Sequence, residues 1–154
     1  MKVGKAMNIR KANINDTKKC DELLTRLIQD ERQYNENINP NFVVNGWYET
    51  KVNKDNACLL VLEDNDNIVG FIYGFLEDLT LNVKPEAVLD ALYIDHKYRK
   101  KGYGEKLIDA FLEWCKSKNV KYVTVGVLND NYAASTLYKK IGFNSVSSKL
   151  KLEL

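Results

Sequence analysis

The stretch Arg99–Gly104, Arg-Lys-Lys-Gly-Tyr-Gly, decides the fold because it lies between a predicted strand and a predicted helix. The apolar residues 87–94 predict the strand, and apolar side chains spaced one and three apart over 104–118 predict the helix. Such a turn directs unpaired backbone N–H groups and the positive end of a helix dipole towards one point. Gly102 and Gly104 allow close approach of a ligand, and the basic residues add positive charge. The residues alone predict an anion site, with a solvated basic turn as the plain alternative.

The glycine spacing excludes two other phosphate-binding classes. A dinucleotide fingerprint needs a third glycine at position 107, where this chain has Leu107. A P-loop ends in Gly-Lys-Ser or Gly-Lys-Thr, and no such ending follows the run. The anion is therefore expected to be held by neither of these motifs.

Composition limits the partners and the location of the chain. Its 154 residues, 45% of them hydrophobic, predict a single domain over 1–154, with 1–6 as a disordered leader. With 23 basic and 21 acidic residues the net charge is +2, so no overall field favours nucleic acid or an anionic membrane. No apolar run reaches the ~18 residues of a membrane span. A cytoplasmic protein without nucleic-acid or membrane partners is expected.

Cysteine and histidine usage gives no support for a disulfide framework or a metal site. The three cysteines, Cys20, Cys58 and Cys115, are widely separated, and His96 is the one histidine. Each cysteine falls within an apolar pattern, which predicts three small core residues.

Hydrophobic periodicity predicts a chain of alternating strands and helices. In chain order the predicted elements are a strand over 7–12, a helix carrying Cys20 to Ile28, a loop over 31–40, a weak helix over 42–52, a hairpin of 58–62 with 68–76, a strand over 87–94, a helix over 104–118, a strand over 122–128, a helix over 131–141 and a final strand within 143–154. Gly142 occupies a favoured position for a helix C-cap.

Two segments resemble one known family. Asp90–Gly104 is similar to motif A of the GCN5-related N-acetyltransferase (GNAT) superfamily, and a second set resembles its motif B: Asn131, Ala134, Leu137, Tyr138, Gly142 and Phe143. Two motifs in the right order are more specific than either alone. The resemblance implies an α/β (α+β) fold with a central mixed, mostly antiparallel twisted sheet of about six or seven strands and about four helices. It is weakest over 31–56 and after Phe143, and it implies pairing into dimers through sheet edges.

The resemblance also implies an acetyl-CoA-dependent acyltransferase that acts on a primary amine. The residues expected to bind acetyl-CoA are Leu92, Tyr93, Ile94, Arg99, Lys100, Lys101, Gly102, Tyr103, Gly104, Glu105 and Asn131. The strand end 92–94 would pair with the pantetheine arm, and the Ile94 amide would stabilise the oxyanion. Tyr138 is the expected general acid for the thiolate, and no metal is expected. Seven residues separate Asn131 from Tyr138, which places both on one helical face.

The general base and the acceptor stay open at this point. Asp90 is the preferred base, with Glu86 and His96 as weaker candidates, and period-two alternation places Asp90 on the face of Leu92 and Ile94. Acidic and aromatic residues over 30–49 suit a cationic amine, or are solvated surface charges. A small amine, a protein N-terminus and a lysine side chain are all compatible acceptors, and a binding module without turnover is the other functional class.

Overall fold

The computed structural model describes residues 7–77 and 80–154, and the predicted leader 1–6 lies outside them. Five strands form one sheet: β1 (Asn8–Lys11), β2 (Ala57–Asp64), β3 (Asn67–Glu77), β4 (Glu86–Ile94) and β5 (Tyr122–Val125). They lie in the order β1-β2-β3-β4-β5, with antiparallel pairs as far as β4 and a parallel β4–β5 pair. The predicted fold class is confirmed, with fewer strands among the described residues.

Three α-helices cover the two faces of this sheet: α1 (Thr17–Asp30), α2 (Tyr103–Ser117) and α3 (Tyr132–Ile141). Helix α1 buries Cys20 and Leu23 against one face, hereafter the α1 face. Helix α2 buries residues such as Phe111 against the other, hereafter the α2 face, where Tyr138 of α3 joins the same cluster. All three helices follow the predicted periodicity, and no described helix is long and apolar enough to cross a membrane.

The weak helix predicted over 42–52 is wrong, because only a single 3₁₀ turn, Tyr48–Thr50, forms there. The segment is instead fastened to α1 by side-chain acceptors. The buried Asp21 carboxylate accepts the backbone N–H groups of Gly46 (2.8 Å) and Tyr48 (3.0 Å), and Thr25 Oγ1 accepts that of Val44 (2.9 Å). These bonds satisfy backbone donors without an intrahelical ladder, so the segment stays irregular although it is well anchored.

A β-bulge at Asp90 changes which residues of β4 face each helix layer. Tyr73 pairs with Ala91, but the next residue, Gly74, pairs with Leu89, so Asp90 is left without an opposite partner. Leu89 packs on the α2 face and Ala91 on the α1 face, which breaks the period of two. Next to the bulge the sheet lies close to α2, since a Cβ on Gly74 would lie 2.3 Å from the Phe111 ring and 2.5 Å from the Val88 carbonyl oxygen.

The final strand predicted within 143–154 is wrong for this chain. Helix α3 ends at Gly142, which has a φ of 122°, and the residues after it form no strand pair. Leu150, Leu152 and Leu154 are exposed, although they alternate with polar residues as the sequence indicated. The periodicity was recognised correctly, but a strand requires a neighbouring strand as well as a pattern.

Candidate functional site

A gap between β4 and β5 is the central feature of the site. The two strands pair only from Glu86 with Tyr122 to Leu89 with Val125. Strand β4 continues to Ile94, whereas β5 ends at Val125. Residues 90–94 of β4 therefore present a strand edge that no described strand covers on the β5 side, and this edge faces the start of α2.

The backbone of the β4 end points hydrogen-bonding groups into this gap. The Asp95 N–H donates to Val69 O on β3 (2.8 Å), so Asp95 is directed towards β3. Because neighbouring residues of an antiparallel ladder alternate in direction, the N–H and C=O groups of Leu92 and Ile94 point the other way, into the gap. In agreement, Ile94 O accepts a hydrogen bond from Arg99 Nε (2.7 Å). Leu92 and Ile94, two of the predicted binding residues, thus direct their backbone amides to a strand edge that no described strand covers.

The start of α2 supplies the second part of the site. Gly102 is its N-cap, with a φ of 82° and no side chain to cap the helix, and Lys100 also has a positive φ of 61°. The first amides of the helix, at Tyr103, Gly104 and Glu105, have no intrahelical acceptor. A Cβ on Gly102 would meet no atom within 4 Å, so the space above this turn is open. Unpaired N–H groups, a helix dipole and open space make the turn suited to an anion.

The charged side chains around the turn are partly engaged elsewhere. Besides Ile94 O, the Arg99 guanidinium contacts Asp30 Oδ2 (3.4 Å) and lies 5.1 Å from the Tyr93 ring centroid. Glu105 pairs with Lys140 of α3 at 3.0 Å. Arg99 therefore fastens the turn to β4 and α1. The side-chain contacts of Arg99 were not predicted from the sequence.

Tyr138 is buried on α3, within the cluster of the α2 face. Its side chain is 8% exposed, and its ring packs edge-on against Phe143 with the centroids 5.6 Å apart. Burial raises the pKa of the Tyr138 phenol to about 12, with a further contribution from the negative charge of Glu31. Asn131, which was expected on the same helical face, caps α3 by accepting the Ala134 N–H (3.2 Å). Its side-chain oxygen thus serves the start of α3.

Glu31 is an acidic residue whose negative charge acts on Tyr138, and sequence reasoning grouped it with other acidic residues without singling it out. It is half-buried immediately after α1, where burial raises its carboxyl pKa. The end of α1 is held over the β4 end by Asp30, whose Oδ2 lies 3.4 Å from both Arg99 and His96, and by Arg26 with Asp95 at 3.3 Å. A carboxylate after a helix end carries no sequence signal, because its approach to Tyr138 arises only from tertiary packing.

Asp90 lies on the α1 face, and its predicted placement with Leu92 and Ile94 is wrong because of the bulge. Its charge acts on the hydroxyls of Tyr48 and Tyr73, both of which belong to the α1 face. The Asp90 side chain is exposed, yet the surrounding protein desolvates the carboxylate and raises its pKa, while the Lys51 ammonium opposes this shift. The carboxylate is open to solvent and near a cation.

Two surface cavities lie outside the gap. One, of about 840 Å³, follows the outer edge of β5 and includes Tyr138 in its lining, and the other, of about 620 Å³, lies over Tyr73 and Lys51. Neither is lined by residues 90–104. In the described part of the chain no group of three His, Cys, Asp or Glu side chains is placed to hold a metal. The cysteines are buried as predicted, and burial raises the thiol pKa of Cys20 and Cys58 to about 12 and of Cys115 to about 11.

Comparison with known proteins agrees with this geometry. A family model described as the acetyltransferase (GNAT) family matches residues 22–143. The chain is 21% identical over 137 residues to the uncharacterized N-acetyltransferase YhfO of Bacillus subtilis (strain 168), covering 89% of each. The solved structure of a BH1408 tetramutant from Bacillus halodurans matches 96% of this chain and 99% of its own, with a TM-score of 0.85 and 19% identity. The aminoglycoside N-acetyltransferase AAC(6')-Iy in complex with CoA gives a TM-score of 0.71 at 13% identity, covering 99% and 97%.

Proposed function

Because the chain belongs to the acetyltransferase (GNAT) family, we propose that it moves an acetyl group from acetyl-CoA to a primary amine by direct attack in a ternary complex. The acceptor we favour is a small-molecule amine. The observation that carries the proposal is the gap between β4 and β5, with free-edge amides on one side and the open start of α2 beside it. A cytoplasmic location and a single domain are kept as expectations.

Acetyl-CoA is proposed to lie in this gap with its pyrophosphate at the start of α2. The amides of residues 100–105 would hold the phosphates, with the charges of Arg99, Lys100 and Lys101 nearby. The pantetheine arm, which carries amide groups of its own, would pair with Leu92, Tyr93 and Ile94 like a partial strand. The Asn131 amide nitrogen is assigned to the same ligand. The CoA-bound aminoglycoside N-acetyltransferase, similar in fold, supports this choice of donor.

The Ile94 N–H is proposed to stabilise the oxyanion that forms when the amine attacks the thioester carbonyl. An amide fixed in a strand needs no reorganisation as charge develops, and removal of one such donor typically costs about 100-fold to 1,000-fold in rate. Ile94 is held in place by β3 pairing on one side and by Arg99 at its carbonyl. The Arg99 side chain therefore acts as a positioning group for the oxyanion donor.

Tyr138 is proposed to donate its hydroxyl proton towards the CoA sulfur as the carbon–sulfur bond breaks. With a pKa of about 12 the phenol stays protonated at neutral pH. Complete transfer to a thiolate of pKa about 8.5 is uphill, so a hydrogen bond to the developing thiolate is the main contribution, and the thiol takes up its proton as the product leaves.

Two carboxylates on the α1 side are given separate roles. Asp90 is proposed to remove the proton from the acceptor amine, since a carboxyl group with a raised pKa is a stronger base than an ordinary aspartate. Glu31, close to Tyr138 at the end of α1, is proposed to bind the cationic acceptor near the reacting carbonyl. The two roles differ in kinetics, because loss of the base lowers kcat and loss of the binding carboxylate raises KM.

The donor is tested by titrating the purified protein with acetyl-CoA in a calorimeter. Saturable binding is expected, and Gly102→Val should abolish it by filling the open space at the turn. No binding of acetyl-CoA by the parent protein would overturn the proposal. The matched control is Asn119→Val, another position of positive φ (59°) that is exposed beyond the far end of α2.

Turnover is tested by following CoA release with a panel of small amines and peptides. Tyr138→Phe is expected to lower kcat by about 100-fold while acetyl-CoA binding is retained. Tyr132→Phe, on the same helix but 73% exposed, is the control and should behave like the parent. Binding without release from any amine would indicate a binding module, and release only with peptides would indicate a protein acceptor.

Asp90→Asn and Glu31→Gln separate the two carboxylates. Asp90→Asn should lower kcat and remove the acidic limb of its pH profile, whereas Glu31→Gln should raise the acceptor KM with the limb retained. Glu36→Gln, exposed in the same segment as Glu31, should change neither. If Glu31→Gln instead lowered kcat and removed the acidic limb, and Asp90→Asn raised the acceptor KM, the general base would be Glu31.

A further inference from the structure

The cavity of about 620 Å³ on the α1 face, hereafter the Tyr73 cavity, combines aromatic rings with positive charge. Tyr73 and Phe75 project from the same face of β3, and their ring centroids lie 6.0 Å apart. The lining also includes Trp47, which is 47% exposed, and the lysines Lys51 and Lys54. The described residues that line the cavity include no aspartate or glutamate. Three rings beside two ammonium groups suit a small molecule with an apolar body and a negative charge.

The Tyr73 cavity lies beside the residue that is proposed as the general base. Tyr73 pairs across the sheet with Ala91, the neighbour of Asp90. The charge of Asp90 acts on the Tyr73 hydroxyl, and the Lys51 ammonium acts in turn on the Asp90 carboxylate. Lys51 therefore belongs both to the cavity and to the surroundings of Asp90. A molecule bound in the cavity can present one end to the proposed base.

The two lysines give this cavity an excess of positive charge. Neither forms an ion pair within the part of the chain that the structure describes. Lys51 Nζ instead donates a hydrogen bond to Trp47 O (3.3 Å) and lies 3.3 Å from the centroid of the Trp47 ring. This ammonium group is thus held in place by uncharged partners. With Asp90 as the negative neighbour, two ammonium groups leave a site that attracts an anion.

We propose that the amine acceptor also carries an anionic group, a carboxylate or a phosphate, which Lys51 and Lys54 bind while the rings of the Tyr73 cavity hold the body of the molecule. This acceptor class rests on the acetyl transfer proposed above and narrows it to amines with a second, negatively charged group. The amine end would lie towards Asp90 and the anionic end towards the lysines, so opposite charges meet at both ends. A polyamine would instead bring further positive charge next to two ammonium groups, which disfavours it.

The first test compares amines in pairs that differ only in the anionic group, with CoA release followed for each. The pairs are phenylalanine with 2-phenylethylamine, 4-(aminomethyl)benzoate with benzylamine, and phosphoethanolamine with ethanolamine. The first two carry a carboxylate at two distances from the amine, and the third carries a phosphate. In at least one pair the anionic member should have a kcat/KM about 10-fold to 100-fold higher, mostly through a lower KM, because its hydrogen bonds to the lysines are charge-assisted. Equal values in all three pairs, or a preference for the members without the anionic group, would overturn the proposal.

The second test changes the charge of the cavity. Lys51→Gln with Lys54→Gln should raise the KM of the preferred anionic amine by about 10-fold to 100-fold and leave the KM of its partner unchanged. Lys54→Glu should reverse the preference within the pair. Lys118→Gln, at an exposed lysine beyond the far end of α2, is the matched control and should behave like the parent. A double variant that melts like the parent and keeps the full preference for the anionic amine would refute the role of the two lysines.

The third test needs no turnover, so it separates the acceptor class from the acetyl transfer itself. The chain has two tryptophans, and Trp114→Phe leaves Trp47 in the cavity lining as the remaining one. With CoA bound, the fluorescence of Trp47 should saturate at a lower concentration of the anionic amine than of its partner, and calorimetric titration of the parent should give the same order. Selective binding without CoA release from any amine would contradict the proposed function and support the cavity assignment. CoA release without selective binding would contradict the cavity assignment alone.

Discussion

The α1 face and the α2 face of the sheet are held together by different interactions. The α2 face is apolar, and its closest contact is the Phe111 ring lying directly over Gly74. The α1 face contains two buried carboxylates, Asp16 and Asp21, which bond to backbone amides and to an arginine. The α2 face is thus formed by a helix packed closely on the strands. The α1 face also depends on hydrogen bonds that hold irregular segments, such as the one over 42–52, in place. The proposed donor site uses the first face and the proposed acceptor side uses the second.

The largest expected effect tests the close packing of the α2 face. Gly74→Ala would place a Cβ 2.3 Å from the Phe111 ring and 2.5 Å from Val88 O, so the sheet and α2 must separate. We expect a loss of about 3 kcal/mol in the free energy of unfolding, measured by urea denaturation. Gly126→Ala is the control, because no atom lies within 4 Å there and a change below about 0.5 kcal/mol is expected. Equal behaviour of the two variants would contradict tight packing at Gly74.

The hydrogen bonds that Asp21 accepts on the α1 face predict the second-largest loss of stability. In the parent, the two carboxylate oxygens of Asp21 accept the backbone N–H groups of Gly46 and Tyr48. Asp21→Asn keeps one of these oxygens and replaces the other with an NH₂ group, a donor that faces an N–H donor. A loss of about 2 kcal/mol in unfolding free energy is expected. The segment held by Asp21 belongs to the proposed acceptor side, so the acceptor KM should rise more than the KM for acetyl-CoA. A uniform change in both constants would mean that the segment does not shape the acceptor site.

The same contrast explains which parts of the structure were predictable from sequence. Helix α2 and the hairpin follow regular periods, and the motif around Gly102 marks the turn before α2, so these elements were predicted nearly to their ends. The segment over 42–52 has no such period, because its conformation depends on Asp21, over twenty residues earlier. The bulge at Asp90 leaves no mark in the sequence and reverses the face that alternation predicts. The position of Glu31 near Tyr138 depends on how α1 packs at the end of β4.

A third prediction concerns the pH dependence of the α1 face. Arg10 bridges Asp16 (2.7 Å) and Glu63 (2.8 Å), and hydrogen bonding to Arg10 lowers the Asp16 pKa. A lowered folded-state pKa stabilises the protein above the unfolded value of about 3.9, and this stability is lost as the pH falls through the folded-state pKa. Asp16→Asn should lower the free energy of unfolding by about 1.5 kcal/mol at pH 7. The loss is no larger because Arg10 keeps Glu63 as a partner.

The difference between the parent and Asp16→Asn should stay constant from pH 7 to pH 5 and shrink below about pH 4, as followed by urea denaturation across this range. Glu113→Gln provides the comparison, since its pair with Lys116 is exposed on both sides and should contribute little to the free energy of unfolding at any pH. A pH-independent cost for Asp16→Asn would mean that the charge of this carboxylate is not what stabilises β1 against α1.

The smallest effect is expected at Tyr48, where the two kinds of packing meet. The side chain is fully buried, with its ring against Phe71 and Tyr73, yet its hydroxyl has no hydrogen-bond partner among the described residues. Burial, followed by the nearby charge of Asp90, raises the pKa of this phenol. Tyr48→Phe removes an unsatisfied polar group and keeps the ring, so a gain of up to about 1 kcal/mol in unfolding free energy is expected. A loss of stability would reveal a partner for the hydroxyl in solution. Lost activity with unchanged stability would instead assign that hydroxyl to the acceptor side, next to Asp90.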